Sequence, residues 1–294
     1  MNFLLGIDLG GSSVKAVAVT PEGQTLFSRN TEFEPDEHMD WAEKIRGIIQ
    51  STQGELGNEP MAIGLSAPGL AARDGRSISH LPGRLHGLVG LHWTEFLQTK
   101  RPVPVLNDAH AALLGEVWLG AARGFENVIM LTLGTGVGGA AMVDGRLLRG
   151  HHGKAGHLGH TSLDPDGLAD ICATPGSLEM AMGNCTIEAR SNGRFQSTHA
   201  LIAAHLAGDT EASKIWLKSV KALAAAISTF TNVLDPEAVI VGGGIARSGS
   251  ALFDPLRIWV REMEWQTGEP VKILPAELGE LAGAYGAAWN ALNT

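Results

Sequence analysis

Three glycine-rich segments and one Asn-Asp pair are the residues of this chain whose types and spacing could do chemistry. The glycine segments begin at Asp8, Leu133 and Val241, and the pair is Asn107-Asp108. Glycine loops present bare backbone N–H groups that can hold phosphate oxygens. A single acidic residue beside bound phosphate can take a proton from a hydroxyl group. Together these features indicate phosphoryl transfer from a nucleotide to an alcohol.

The composition is that of a globular protein with an acidic balance. The chain has 294 residues, of which 44% are hydrophobic and 18% charged, and its formal net charge is −9. Its length predicts a large core and roughly two domains. Because the sequence has no basic stretch, a nucleic acid or a polyanionic surface is an unexpected partner. Bound ATP would be handled locally, by backbone N–H groups and a metal ion.

The cysteines and the N-terminal sequence indicate a reducing compartment. Cys172 and Cys185 cannot make a disulfide framework. The first residues lack a basic lead and reach Asp8 too early for a signal peptide. No apolar run approaches the roughly 20 residues that a membrane helix needs. We therefore expect a cytoplasmic protein without a membrane partner.

The strands that must position these loops are predicted twice, in a similar order. Predicted strands cover residues 3–9, 14–20, 25–29, 61–65, 103–106, 128–133, 140–143, 146–148 and 238–241. In each half a glycine loop joins the first strand to the second and a turn joins the second to the third, so the pattern predicts two related lobes. Predicted helices cover residues 41–52, 93–99, 109–118, 214–234 and 277–292, and residues 71–90 are predicted to form a loop.

Each motif also has an interpretation without catalysis. The segment that begins at Gly134 is similar to the dinucleotide-binding pattern of oxidoreductases, but a strand and a hairpin turn follow it instead of the helix which that pattern requires. A tight hairpin is its structural alternative. Asp8 could form a turn, and Asn107 or Asp108 could cap the next helix. The combination of all these motifs in one chain favours phosphoryl transfer.

Five motifs, in order along nearly the whole chain, resemble the ROK family, which is named after repressors, open reading frames and kinases. They are Asp8-Leu-Gly-Gly-Ser-Ser-Val-Lys15, Ser66-Ala-Pro-Gly69, Asn107-Asp108-Ala-His-Ala-Ala-Leu-Leu-Gly-Glu116, Leu131-Thr-Leu-Gly-Thr-Gly-Val-Gly-Gly139 and Val239-Ile-Val-Gly-Gly-Gly-Ile245. The resemblance implies an α/β fold with two RNase H-like lobes of the actin/hexokinase type around a central cleft. On this basis we expect an N-terminal lobe of residues 1–106 plus 279–294 and a C-terminal lobe of residues 107–278.

The resemblance also implies an activity and a set of ligands. The activity would be ATP-dependent phosphorylation of a hexose or N-acetylhexosamine, a small neutral sugar, with the 6-hydroxyl favoured and a homodimer expected. Asp108 would be the general base, and Asp8 would position Mg²⁺ and the phosphates. The expected ATP and phosphate ligands are Asp8, Gly10, Gly11, Ser12, Lys15, Gly134, Thr135, Gly136, Gly242, Gly243 and Gly244. The expected sugar ligands are Gly69, His80, Asn107, Asp108, His157, His160 and Glu179.

The sugar side departs from the family pattern at two histidines. His157 stands where the family usually has Glu, and His80 stands where Asn is frequent. A carboxylate only accepts hydrogen bonds, whereas a neutral imidazole accepts one and donates one. We therefore expect an altered sugar preference or a weak sugar affinity, unless His157 is an ordinary loop histidine.

The family's cysteine-rich zinc loop is also altered. Only Cys172 remains, and Asp170 and Ser177 take the other two cysteine places. Serine is a poor zinc ligand, and structural zinc sites take four good ligands. We therefore expect no structural zinc. A remade site formed by His157, His160, Asp170 and Cys172 is the alternative.

Two other functions stay open at this point. A polyphosphate-dependent glucokinase would also lack the zinc loop, but 22 basic against 31 acidic residues give no indication of the basic groove that it needs. A catalytically weak, sugar-sensing regulator without a DNA-binding domain is the second alternative. The acidic balance disfavours DNA binding, and the presence of Asp8 and Asp108 favours catalysis.

Overall fold

A computed structural model describes residues 2–34, 38–83, 85–265 and 268–294. The chain forms two compact units, which we call unit 1 (Met1–Gly124, Arg149–Ala155 and Glu277–Thr294) and unit 2 (Phe125–Leu148 and Gly156–Ala276). In the described ranges, no helix combines the length and the apolar character needed to cross a membrane.

In both units three strands come first and helices and further strands follow. The strands are β1 (Leu4–Leu9), β2 (Ser13–Val19), β3 (Thr25–Glu32), β4 (Ala62–Ala67), β5 (Leu70–Ala71), β6 (Ile78–His80), β7 (Val105–Asn107), β8 (Val128–Leu133), β9 (Val137–Val143), β10 (Arg146–Leu147), β11 (Ala238–Gly242) and β12 (Lys272–Pro275). The helices are α1 (Asp40–Leu56), α2 (Trp93–Phe96), α3 (Asp108–Leu119), α4 (Leu178–Met182), α5 (Ile187–Arg190), α6 (Thr198–Leu206), α7 (Thr210–Leu234), α8 (Ser250–Met263) and α9 (Ala282–Leu292). Short 3₁₀ turns cover Leu158–His160, Asn184–Thr186, Ile245–Ser248 and Gly279–Leu281.

Unit 1 is built on a five-stranded sheet of order β3-β2-β1-β4-β7. The first three strands pair antiparallel, and β4 and β7 extend the sheet in parallel. Alternate strand residues such as Leu5 and Ile7 pack with Trp41 and Ile45 of α1 in one buried cluster. On the opposite face Leu4 packs with Ala284 of α9. Near its end the buried β1 strand therefore carries Asp8 between two layers of helix.

Unit 2 repeats the same sheet with the order β10-β9-β8-β11-β12. Here too the first three strands are antiparallel and the last two join in parallel. The apolar face of α7, with Trp216 and Leu223, is buried in the core of this unit together with Val239 and Leu256. The predicted repeat of strand, glycine loop, strand, turn and strand is thus confirmed.

The compact units differ from the predicted lobe boundaries. Helix α3 lies in unit 1, not after a boundary at residue 106, and so does the segment Arg149–Ala155. The physical reason is the packing of α3 against α9, which the small residues of α9 permit at close range. The sequence places these two helices far apart, so their pairing could not be read from local patterns.

Within the described residues, the elements that were not predicted are four helices, α4, α5, α6 and α8, and three short strands, β5, β6 and β12. Helices α6 and α8 lie in unit 2, and the predicted loop 71–90 contains β6, which pairs antiparallel with β5. Helix α8 has Pro255 in its interior, which removes the N–H that would bond to the carbonyl of Ala251. The indole N–H of Trp216 donates to that carbonyl instead, at 2.9 Å. This tertiary hydrogen bond lets the helix tolerate its proline.

Candidate active site

Asp8 is held at the end of β1 by its neighbours in the sheet. It pairs with Lys15 of β2 on one side and with Ser66 of β4 on the other. The Ser66 hydroxyl donates to Asp8 Oδ1 at 2.6 Å. The carboxylate also faces Gly283 of α9, where a Cβ atom would lie 2.8 Å from it. Only glycine therefore fits at this position of α9.

The Asp8 carboxylate is tuned to ionise near neutral pH. Burial raises its pKa to about 6, against the opposing effect of the Ser66 hydrogen bond. The nearby charge of Asp108 raises the pKa further, whereas Lys15 lowers it. A bound cation would stabilise the ionised form of this carboxylate. Mg²⁺ prefers one or two carboxylates together with phosphate oxygens and waters. Asp8 therefore fits the magnesium role that its motif predicts.

Asn107 and Asp108 divide the capping role and the chemical role between them. Asn107 is the N-cap of α3, and its Oδ1 accepts hydrogen bonds from the backbone N–H groups of Ala109 at 3.0 Å and His110 at 3.4 Å. Its Nδ2 donates to the carbonyl of Gly69 at 2.9 Å. Asp108 is exposed at the first turn of α3, and its Oδ1 accepts from Ala109 at 2.8 Å. The exposed carboxylate is accessible to a hydroxyl substrate.

The remaining predicted sugar-side residues of unit 1 lie near this pair. A Cβ atom at Gly69 would lie 2.5 Å from the carbonyl of His80, because β5 and β6 form a hairpin directly after Gly69. Unit 1 thus brings together Gly69, His80 and Asn107 through backbone contacts. The His80 side chain itself is exposed.

The first glycine loop is a tight connection between β1 and β2. The N–H of Gly10 donates to the carbonyl of Ser13 at 2.8 Å, and Gly11 and Ser12 are exposed at its tip. Lys15, a predicted phosphate ligand, forms an ion pair with Glu280 at 3.8 Å. The loop offers accessible backbone to a phosphate, while Lys15 is engaged by a carboxylate in this structure.

The second glycine loop, residues 134–136 of unit 2, is held by hydrogen bonds to its backbone carbonyls. The carbonyls of Gly134 and Thr135 accept hydrogen bonds from Asn184 at 3.0 Å and Cys185 at 2.8 Å. Glu179 Oε2 accepts from the N–H of Val137 at 2.9 Å, and a Cβ atom at Gly136 would lie 2.1 Å from that oxygen. Glu179, predicted as a sugar ligand, therefore also anchors the phosphate loop.

The third glycine segment packs directly against the second loop. Gly242 ends β11, and Gly243 has a φ of +90°. A Cβ atom at Gly243 would lie 2.3 Å from the carbonyl oxygen of Leu133. Gly244 is the N-cap of the following 3₁₀ turn, and a Cβ atom there would lie 4.0 Å from the His199 ring. The predicted adenosine segment and the predicted phosphate loop are thus one contiguous feature of unit 2.

Replacing Gly243 with alanine is expected to destabilise unit 2. The new Cβ atom would be strained by the left-handed backbone and would meet the Leu133 carbonyl, so we expect a loss of about 1–3 kcal/mol in the free energy of unfolding and a weaker MgATP affinity. Chemical denaturation checks the first effect and calorimetry the second. Gly134→Ala is the matched control for stability, because nothing lies within 4 Å of its Cβ position. Equal stability losses in the two variants would contradict this account.

His157 and His160, the two predicted sugar ligands of this segment, lie at the ends of a short turn beside the second loop. His157 precedes the 3₁₀ turn Leu158–His160, and this turn packs against β9 so closely that a Cβ atom at Gly159 would lie 1.8 Å from the carbonyl oxygen of Val137. Both histidines are partly exposed. Unit 2 therefore gathers His157, His160 and Glu179 beside the phosphate loop.

The residues in the family's zinc position do not fit a structural zinc ion. His160, Asp170 and Cys172 do come together, with their potential ligand atoms within 4.8 Å of one another. Although burial of Asp170 acts in the opposite direction, hydrogen bonds from His160, Ser177 and two backbone N–H groups hold its pKa below the usual value. The carboxylate is thus committed to these donors. Ser177 caps α4 by accepting from the N–H of Met180. Within the described residues the gathered donors are His160, Asp170 and Cys172, three of the four ligands that a structural zinc site takes, and His157 is not among them.

Two positioning residues were not singled out from the sequence. Ser66 orients Asp8. The sequence marked it only as the first residue of the Ser66-Ala-Pro-Gly69 motif and gave it no role toward Asp8. The buried Glu116 of α3 accepts hydrogen bonds from the N–H groups of Ala121, Glu277 and Leu278. It ties α3 to the segment that leads into α9. A buried glutamate at the end of the Asn107-Asp108 motif was a visible signal, but its partners are too distant in sequence to predict.

Comparisons with known proteins match this fold and these motifs. A family model described as the ROK family matches residues 4–294. The glucokinase of Thermotoga maritima is 32% identical over 275 residues, covering 86% of this chain and 86% of that protein. The ROK hexokinase structure from Thermus thermophilus is 31% identical, with a TM-score of 0.89, and covers 99% of this chain and 98% of that chain. A ROK family glucokinase from Streptomyces griseus, solved with glucose and AMPPNP, is 26% identical, with a TM-score of 0.83 over the whole of both chains.

The fold and the glycine motifs define an α/β protein of the actin/hexokinase type, as predicted. More particularly, the chain belongs to the ROK family. The resemblance inferred from the five sequence motifs is therefore confirmed.

Proposed function

We propose that this chain is an ATP-dependent sugar kinase that transfers the γ-phosphoryl group to a hydroxyl of a hexose or N-acetylhexosamine. The observation that carries the proposal is the paired carboxylates of unit 1. Asp8 is half-buried beside Ser66 with a pKa of about 6, and Asp108 is exposed at the start of α3 within electrostatic reach of it. One carboxylate is suited to a metal and the other to a hydroxyl proton.

Asp108 is the proposed general base. It accepts the proton of the sugar hydroxyl while that oxygen forms a bond to the γ-phosphorus and the bond to the ADP oxygen breaks. The N-cap of Asn107 fixes the backbone from which Asp108 projects, so the carboxylate needs little reorganisation. The 6-hydroxyl is the proposed acceptor, by analogy with the fold.

The glycine segments are the proposed nucleotide ligands. Gly10, Gly11 and Ser12 offer backbone to one part of the phosphates, and Gly134, Thr135 and Gly136 offer it to another. The glycines 242–244 leave room for the adenosine to approach the backbone. Asp8 holds the Mg²⁺ ion, which neutralises the charge that develops on the transferred phosphoryl group.

The proposed setting follows from the same motifs. A small neutral sugar and MgATP are the ligands, and the assembly is a homodimer in the cytoplasm. The poor donor set around His160 supports a loop without structural zinc. The intact Asp8 and Asp108 favour catalysis over a regulatory role.

His157→Glu is expected to strengthen glucose binding. It restores the carboxylate that the family usually has there, and a hydrogen bond between a sugar hydroxyl and a charged group is worth about 1.5–3 kcal/mol, so the KM for glucose should fall by roughly 10-fold or more. Steady-state kinetics check this result. His92→Glu at an exposed loop position makes the same charge change and should leave KM unaltered. An unchanged or higher KM in His157→Glu would remove His157 from the sugar site.

A coupled ADP-release screen tests the proposed function. The panel holds glucose, mannose, fructose, allose, N-acetylglucosamine, N-acetylmannosamine and glucosamine, each with MgATP. Sugar-dependent ADP release supports the kinase and names its substrate. A second arm replaces ATP with polyphosphate and measures sugar phosphate. Turnover in that arm and none with ATP would point to the polyphosphate-dependent alternative, and binding of sugar without turnover in either arm would point to a regulator.

A further inference from the structure

Asp170 and Cys172 of unit 2 have no place in the proposed kinase reaction, and both contact His160, an expected sugar ligand. Asp170, His160 and Cys172 form a chain of contacts in which His160 Nδ1 lies 2.8 Å from Asp170 Oδ2 and His160 Nε2 lies 3.5 Å from Cys172 Sγ. A nucleophile, a base and a group that orients the base, in this order and within these distances, are the elements of an activated thiol.

Asp170 fixes the chemical state of the imidazole. Its side chain is fully buried, while that of His160 is a quarter exposed. A buried carboxylate accepts the Nδ1 proton of a neutral imidazole and so leaves the Nε2 lone pair directed at the thiol. The same carboxylate stabilises the imidazolium that forms when the thiol gives up its proton.

The backbone holds Cys172 in place for this contact. Asp170 Oδ1 accepts hydrogen bonds from the N–H groups of Cys172 at 2.8 Å and Thr174 at 3.0 Å. The N–H of Ala173 donates to the Asp170 carbonyl at 2.9 Å, and Ala173 adopts a left-handed conformation with a φ of +64°. The result is a tight turn that presents an exposed Cys172.

We infer that Cys172 is a reactive thiol that forms mixed disulfides with low-molecular-weight disulfides. Cys172 passes its proton to His160 Nε2, and the thiolate attacks one sulfur of the small disulfide. A new S–S bond forms, the original S–S bond breaks, and the leaving thiolate recovers the proton from His160. Cys172 is oxidised and the small disulfide is reduced, so the exchange needs no further oxidant.

The test measures adduct formation and does not depend on kinase activity. In a Cys185→Ser background, the folded protein is treated at pH 7 with 2-hydroxyethyl disulfide, or with iodoacetamide in a parallel arm, and the adduct is followed by intact mass. Removal of Cys185 is necessary because it is also exposed and lies near Arg190. The same protein unfolded in urea supplies the rate of an ordinary thiol.

The expected result is a folded-state rate at least about 10-fold above the unfolded-state rate. His160→Gln should remove this excess and Asp170→Asn should reduce it, whereas His92→Gln should change nothing. Circular dichroism of each variant confirms that it is folded, and His160→Gln serves as the main variant if Asp170→Asn disturbs the loop. Equal rates in the folded and unfolded protein would overturn the inference. A full equivalent of bound zinc that blocks the adduct would also overturn it.

Discussion

Replacing Asp108 with asparagine is expected to lower kcat by about 10²- to 10⁴-fold, the usual cost of losing a general base. The change leaves nucleotide and sugar binding largely intact, because the side chain keeps its shape and an oxygen that can accept from the N–H of Ala109. What it removes is the ability to take a proton from the sugar hydroxyl. Steady-state kinetics with the preferred sugar, together with calorimetry of MgATP binding, separate these two effects.

A matched control accompanies this variant. Asp254→Asn makes the same chemical change at an exposed position of α8 in unit 2. It should retain the parental kcat. If Asp108→Asn also retained it, the assignment of the base, and with it the reading of the Asn107-Asp108 motif, would be wrong.

Asp8→Asn is expected to abolish turnover while making the protein more stable at neutral pH. The activity falls because an amide replaces the carboxylate that holds Mg²⁺ on the phosphates. The free energy of unfolding rises because the substitution removes a charge whose burial destabilises the folded protein at neutral pH. A pKa of about 6 in the folded state against 3.8 in the unfolded state corresponds to about 1–3 kcal/mol at pH 7, with the lower end reflecting the partial exposure of the residue.

The pH dependence of this effect has a definite sign. Because the folded pKa exceeds the unfolded one, the folded state holds the proton more tightly. The resulting stability is complete below about pH 3.8 and is lost as the pH rises through about 6. Denaturation curves should therefore show parent and Asp8→Asn diverging between pH 4 and pH 7 and staying parallel above. A constant difference across this range would contradict the raised pKa.

The protonation of Asp8 should also change the affinity for MgATP. Protonated Asp8 cannot hold Mg²⁺, so the affinity of the parent protein for MgATP should weaken as the pH falls below about 6. Asp8→Asn should bind MgATP weakly at every pH. Denaturation and MgATP binding then measure the pKa of Asp8 by two independent methods.

Much of the fold was predictable because its signals are local. The strand–loop–strand pattern fixed β1 and β2, and again β8 and β9, since buried apolar runs broken by glycine have few other structures. Helix α8 was missed because a proline such as Pro255 normally ends a helix. The Trp216 indole N–H donates to the Ala251 carbonyl and so replaces the hydrogen bond that the proline cannot make. A contact between residues 35 positions apart leaves no local trace in the sequence.

The candidate site was predictable in its residue types and not in its electrostatics. The glycines are recognisable because they permit tight backbone conformations, and the Asn-Asp pair is recognisable because it stands where a helix needs a cap. The bond from Ser66 to Asp8 depends on the parallel pairing of β1 with β4, and the raised pKa of Asp8 depends on burial under α9. The cluster of His160, Asp170 and Cys172 depends likewise on how one loop folds. Such properties arise only when distant segments meet.

Sugar kinase activity is tested most directly by following the γ-phosphoryl group of MgATP by ³¹P NMR in the presence of the sugar that the screen selects. We expect the parent protein to form a sugar phosphate monoester in step with ADP and Asp108→Asn to form none. Release of inorganic phosphate alone, at the same rate with and without sugar, would contradict the assignment of this chain as a sugar kinase.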